Sequence, residues 1–179
     1  PRAIARMEPG VDGLVEQRLD ALPGHSQPDL IEHFAAQIPV EVIGNLLDVP
    51  RAERGPLREW SLAILSALEP IPGDAVLARG HAAVREMLDY LRGLVAERRR
   101  RPGDPDADVL TRLMRGDGEG TLSEAELLHN CIFLLNAGHE TTTNLIGNGL
   151  HALLAHRDQF ERLAAEPALL PGAIEELLR

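Results

Sequence analysis

Ala137-Gly138-His139-Glu140-Thr141-Thr142 is the stretch on which the reading of this chain turns, because it breaks the local rules of the helix around it. A capping box, Ser123-Glu124-Ala125-Glu126, opens a run that reaches His156 without a proline and with continuous helical periodicity. At about 1.5 Å per residue this is a rod of roughly 50 Å, apolar through Ile132-Phe133-Leu134-Leu135. Such a rod is expected to cross the middle of something larger than 179 residues. Inside it, a glycine costs about 1 kcal/mol against alanine, and Thr141, Thr142 and Thr143 are poor helix formers. Glu140 follows an apolar run and loses solvation unless it meets water or a partner. Breaches of this kind gather at functional sites.

The spacing says what such a site does. Ala137 and Thr141 are four apart, so they share one helix face, and both are small. Gly138 beside them lets a flat, bulky group approach the backbone. The Thr141 hydroxyl can donate to the Ala137 carbonyl, opening a local bend where water can sit. Glu140 can exchange protons with solvent. Small residues, a hydroxyl and an acid over a flat cofactor make a groove for proton delivery. The plainer alternative is a helix crossing that uses small residues to pack closely.

The rest of the sequence sets the frame. Aromatic residues are 3% of the chain while alanine and leucine abound, and no alternating run marks a strand. The fold class is mainly α. Apolar periodicity predicts helices over 10–22, 29–47 with a kink or break at Pro39, 51–68, 74–101, 107–114, 123–156, 157–166 and from Pro171 to 179. Asp74 is the expected N-cap of the fourth. Breakers separate them: Pro23-Gly24, the loop Glu69-Pro70-Ile71-Pro72-Gly73, Pro102-Gly103-Asp104-Pro105 and the glycine-rich stretch 115–120. The pattern stops inside the last helix, which reads as a truncation.

Charge and cysteine count narrow the function. A net charge of −10 argues against binding nucleic acid or an anionic membrane surface. One cysteine excludes a disulfide framework and a cysteine-clustered zinc site. No apolar run approaches the roughly 18 residues of a membrane span, and the opening Pro1-Arg2-Ala3-Ile4 has no signal-peptide core. A soluble, cytoplasmic protein is expected. Several motifs fail on inspection. Arg98 to Arg101 sit at a helix C-terminus, where the dipole favours cations. Asp104, Asp106 and Asp108 alternate as in a calcium loop, but Val109 stands where its glycine is needed. His139-Glu140 lacks the second histidine of a zinc protease, which would fall at Thr143. Gly147-Asn148-Gly149 follows no strand.

With Glu176-Leu177-Leu178-Arg179 following at the matching distance, the hexapeptide resembles the cytochrome P450 family. That family carries [AG]-G-x-[DE]-T-[ST] in a long central helix over the haem and E-x-x-R in a later one. The resemblance implies an incomplete P450-like helical fold: helices before a lid at about 10–47, the lid and following helix at 51–101, the long distal helix at 123–156 and the E-x-x-R helix at 171–179. It further implies a haem-thiolate monooxygenase that inserts one oxygen atom into a small hydrophobic or natural-product substrate. Thr141 and Glu140 would then be catalytic, delivering protons to oxygen at the haem iron. Ala137, Gly138, Thr141 and Thr142 would contact haem, and Asn136 and Ala137 the substrate. Glu176 and Arg179 would brace the proximal side, although alone they read as an exposed i,i+3 pair worth a few tenths of a kcal/mol. Electrons would come from NAD(P)H through a ferredoxin and a ferredoxin reductase.

The family's iron ligand is a cysteine in a later glycine-rich loop. Cys131 does not replace it: ten residues before Thr141 on the same rod, it lies about 15 Å away and roughly 280° round. The early sheet and first helices of the family are also expected to precede Pro1, so this chain is expected to hold haem poorly by itself. Two other readings stay open at this level. One is a haem-free, P450-like helper of a partner enzyme such as a glycosyltransferase; the other is an inactive helical fragment.

Overall fold

The computed structural model describes residues 2–104, 108–116, 120 and 122–179, with residues 2–6 as backbone only. Every regular element among them is helical. The α-helices are α1 (Arg2–Ala21), α2 (Gln37–Leu46), α3 (Gly55–Ser66), α4 (Asp74–Arg100), α5 (Val109–Arg115), α6 (Glu124–Ala155), α7 (Arg157–Ala165) and α8 (Leu170–Leu177). Short 3-10 turns at Leu22–Gly24, Arg51–Glu53 and Pro167–Leu169 and a π turn at Ile31–Ala35 join them.

Prolines account for the main departures from the sequence expectation. The first helix begins at Arg2 and runs through Pro9 rather than starting at Gly10. Apolar spacing continues across that proline through Met7, Val11 and Leu14, all half-buried. The kink or break expected at Pro39 takes the form of a break ahead of it. The break falls earlier, in the π turn, and leaves Pro39 in the first turn of α2, where a missing N–H has no helical acceptor to lose. The segment 51–68 divides into a 3-10 turn and α3. Gly73, not Asp74, is the N-cap of α4, while Asp74 stays in its first turn, favourable to the helix dipole. Pro105, Asp106, Ala107 and residues 117–119 of the glycine-rich stretch lie outside the described residues. Asp108 caps α5 by accepting from the Thr111 N–H.

One core holds the assembly. Met87, Leu91 and Val95 form the inner stripe of α4 at four-residue spacing, all at most 1% exposed. They pack with Leu57, Trp60 and Ile64 of α3, Ile43 of α2 and Leu127, Leu128, Cys131 and Leu135 of α6. Burying each large side chain is worth about 1.5–3 kcal/mol. α3 and α4 meet at very short range: a Cβ on Gly80 would strike Ala67 Cβ and lie 3.1 Å from the Ala63 carbonyl oxygen. The long helix α6 therefore has α2 on one flank and the α3–α4 hairpin on another. No helix among the described residues is long and apolar enough to cross a membrane.

Candidate active site on the long helix

The capping box forms as its residues require. Ser123 Oγ accepts from the Glu126 N–H at 3.3 Å, and Glu126 Oε2 accepts from the Ser123 N–H at 2.8 Å. From there α6 stays helical through the whole threonine run. Thr141 Oγ1 donates to the Ala137 carbonyl at 2.6 Å, and Thr143 Oγ1 donates to the His139 carbonyl at 2.9 Å. Each hydroxyl is thus satisfied locally, which lets poor helix formers stand in the middle of the rod.

The two threonines face opposite ways. Thr143 is buried, whereas Thr141 and Ala137 are exposed side by side. One turn back, Phe133 is 70% exposed on the same strip. Thr141 is therefore not wedged in a dry crossing. A flat group can lie against the strip from Ala137 to Thr141, since neither side chain rises far from the helix. Because the Thr141 hydrogen is committed to a carbonyl, the lone pairs of Oγ1 are left to accept from whatever lies on the open side.

The neighbouring residues occupy the flanks. Glu140 is half-buried and shares a hollow of about 260 Å³ with Leu62, Leu65, Ser66, Leu68 and Glu69, all from the end of α3 and the loop after it. Gly138 is half-buried, and on one side of it stands Ile43 of α2, whose Cδ1 would lie 3.0 Å from a Cβ placed there, so the missing side chain lets that helix come close. Thr142, one turn on from Gly138, is half-buried. Asn136 is half-buried too and donates from Nδ2 to the Ile132 carbonyl at 3.1 Å.

Cys131 is fully buried, and its thiol is pushed up to about 11, first by burial and then by the charge of Asp108. It is neither accessible nor easily ionised, so it does not serve as a metal ligand here. At the far end of the chain Glu176 and Arg179 form an ion pair of 3.3 Å with both side chains largely exposed. An apolar hollow of about 410 Å³ lies nearby between the end of α6, α7 and α8.

Sequence reasoning missed one member of this neighbourhood. His139 is 1% exposed, and its Nδ1 lies 3.1 Å from the Oγ of Ser61 on α3. A signal was present: Cys131, Leu135, His139 and Thr143 recur every four residues as the buried stripe of α6.

The family model described as Cytochrome P450 matches residues 62–172. The chain is similar to Cytochrome P450 107B1 of Saccharopolyspora erythraea, 40% identical over 99% of this chain and 42% of that protein. It is also similar to 6-deoxyerythronolide B hydroxylase of the same organism, 37% identical over 99% of this chain and 43% of that protein. Among solved structures, P450BioI in complex with an acyl carrier protein carrying hexadec-9Z-enoic acid superposes with a TM-score of 0.91, at 32% identity over 99% of this chain and 45% of that one. The chain spans less than half the length of each relative. With well over half of its residues inside the family model, the chain belongs to the cytochrome P450 family.

Proposed function

We propose that this chain is the distal part of a haem-thiolate monooxygenase. The reading is carried by Thr141, exposed on the long helix with its hydroxyl bonded to the Ala137 carbonyl and an acid on the preceding residue. The open strip suits one face of a haem, with Ala137 and Thr141 beneath it and Gly138 and Thr142 along the flank toward α2. Haem bound there would supply activation of O2 for insertion of one oxygen atom into a substrate C–H bond. Its thiolate ligand would come from family sequence that this chain does not span, since Cys131 is buried and faces the core.

The chain's own residues handle protons and shape. Thr141 Oγ1 accepts a hydrogen bond from the open side while its own hydrogen stays on the Ala137 carbonyl. Glu140 exchanges protons with solvent through its hollow and passes them to water held by that oxygen on the open side. Ala137 keeps the strip low, and Asn136 stands on the substrate side. Leu68 and Ile71, 74% and 94% exposed, belong to the loop between α3 and α4, which acts with α3 and the start of α4 as the lid. Glu176 and Arg179 brace the opposite side of the haem.

The substrate is a small hydrophobic or natural-product molecule; a relative bears the name 6-deoxyerythronolide B hydroxylase. Electrons arrive from NAD(P)H through a ferredoxin and its reductase, and the protein works in the cytoplasm. The test is the spectrum of the reduced, carbon monoxide-treated full-length protein. A haem-thiolate band is expected, and its absence overturns the proposal.

A further inference from the structure

The crossing of α3 and α6 holds a buried polar cluster that the proposed chemistry leaves unused. Ser61 is fully buried and His139 nearly so, with 3.1 Å between Oγ and Nδ1. The other ring nitrogen, Nε2, is buried without a hydrogen-bond partner among the described residues. The same holds for Oδ1 of Asn136, three residues back on α6, and for Nε of Arg58, three residues back on α3. The pair also adjoins the hollow in both sequences: Ser61 precedes Leu62, His139 precedes Glu140, and Leu62 and Glu140 both line it.

We propose that Ser61 and His139 form a latch that docks α3 on α6 and thereby shapes the hollow beside Glu140, and that a second proton on the imidazole releases it. His139 is thus a positioning residue for Glu140, a role that rests on the proposed proton relay, whereas the latch itself rests on the contact alone. The physics is direct. A neutral ring meets Ser61 through one nitrogen. A doubly protonated ring carries a buried charge, and its Nε2–H has no acceptor among the described residues. The surrounding groups do not offset that charge. Arg58 on α3 adds a like charge, although Glu32 of the π turn holds it at 2.6 and 2.7 Å, with Asp29 and His33 on the same segment. On α4, Glu86 is engaged by Trp60 Nε1 at 2.8 Å and by Arg79. On α6 itself, Glu140 points into its hollow with α3.

Burial first, and Arg58 second, hold His139 below the ordinary histidine range. A base whose folded value is depressed binds fewer protons folded than unfolded. Docking strength is therefore full above about 6.5 and falls as the pH drops from there toward the folded value.

Amide hydrogen exchange of the full chain at pH 7.5 and 5.5, corrected for intrinsic rates, tests the latch. Protection of α3 is expected to fall about tenfold at the lower pH while α2, on another flank of α6, keeps its protection. Ser61→Ala is expected to lower α3 protection about fivefold at pH 7.5, and His139→Phe to abolish the acid-dependent step. An undiminished step in His139→Phe, an unchanged α3 in Ser61→Ala, or equal loss in α2 and α3 overturns the latch. Should His139→Phe not fold, an NMR titration of the unsubstituted imidazole decides: a value at or above that of free histidine overturns it. None of these measurements involves haem. A missing carbon monoxide band would leave the latch standing, and a failed latch would leave the monooxygenase reading standing.

Discussion

Thr141 and Thr143 carry the same chemistry in opposite settings. Both return a hydroxyl to the carbonyl four residues back, yet one is exposed and the other lies in the core. Thr143 is satisfied where an unpaired hydroxyl would cost about 1–3 kcal/mol. Thr141 has no such need, because water is at hand; its bond instead orients Oγ1. Thr141→Val is therefore expected to change unfolding free energy by no more than about 0.5 kcal/mol in denaturant titration. In the full-length protein the same change is expected to slow product formation by about 100-fold. Equal loss of stability and activity would assign Thr141 to packing. The Thr141 to Ala137 bond was legible beforehand because i to i−4 geometry is local. The His139 to Ser61 contact was not, because 78 residues separate the partners.

Elements were legible wherever apolar periodicity was long, and α4 and α6 begin and end within a residue of expectation. Their lengths follow from stripes such as Met87, Leu91 and Val95 and from a local cap at Ser123. Prolines misled, since a proline's effect depends on its place in the turn, and that place depends on where tertiary packing starts the helix. Glycines mislead in the reverse direction. By propensity alone, replacing Gly80 inside α4 should help the helix. The hairpin overrules this, because a side chain there meets Ala67 and the Ala63 carbonyl, which is backbone and cannot swing aside. Gly80→Val is expected to destabilise the chain by about 2 kcal/mol or more in thermal or denaturant unfolding. A neutral result would mean that α3 and α4 lie farther apart.

On the scale of the molecule, one core built from five helices encloses Cys131 completely. Its reactivity therefore reports the integrity of the whole assembly. At pH 8 the folded chain is expected to leave a thiol reagent unreacted over minutes, and one equivalent of thiol is expected to appear at once in denaturant. Prompt reaction in the folded state would place Cys131 outside the core and reopen it as a metal ligand. The same core leaves Phe133, Ala137 and Thr141 facing outward on α6, which turns a structural rod into a candidate cofactor surface.

By itself the sequence determined the helical class, the long rod and its cap, the local Thr141 bond and the acid beside it. All of these arise from periodicity and from contacts within about four residues. The tertiary structure decided which side of the rod stays open. It brought Ile43 of α2 up to Gly138, and it set His139 against Ser61. The physical reason is that one helix offers every azimuth equally. Only the neighbours that bury the others determine which face remains exposed.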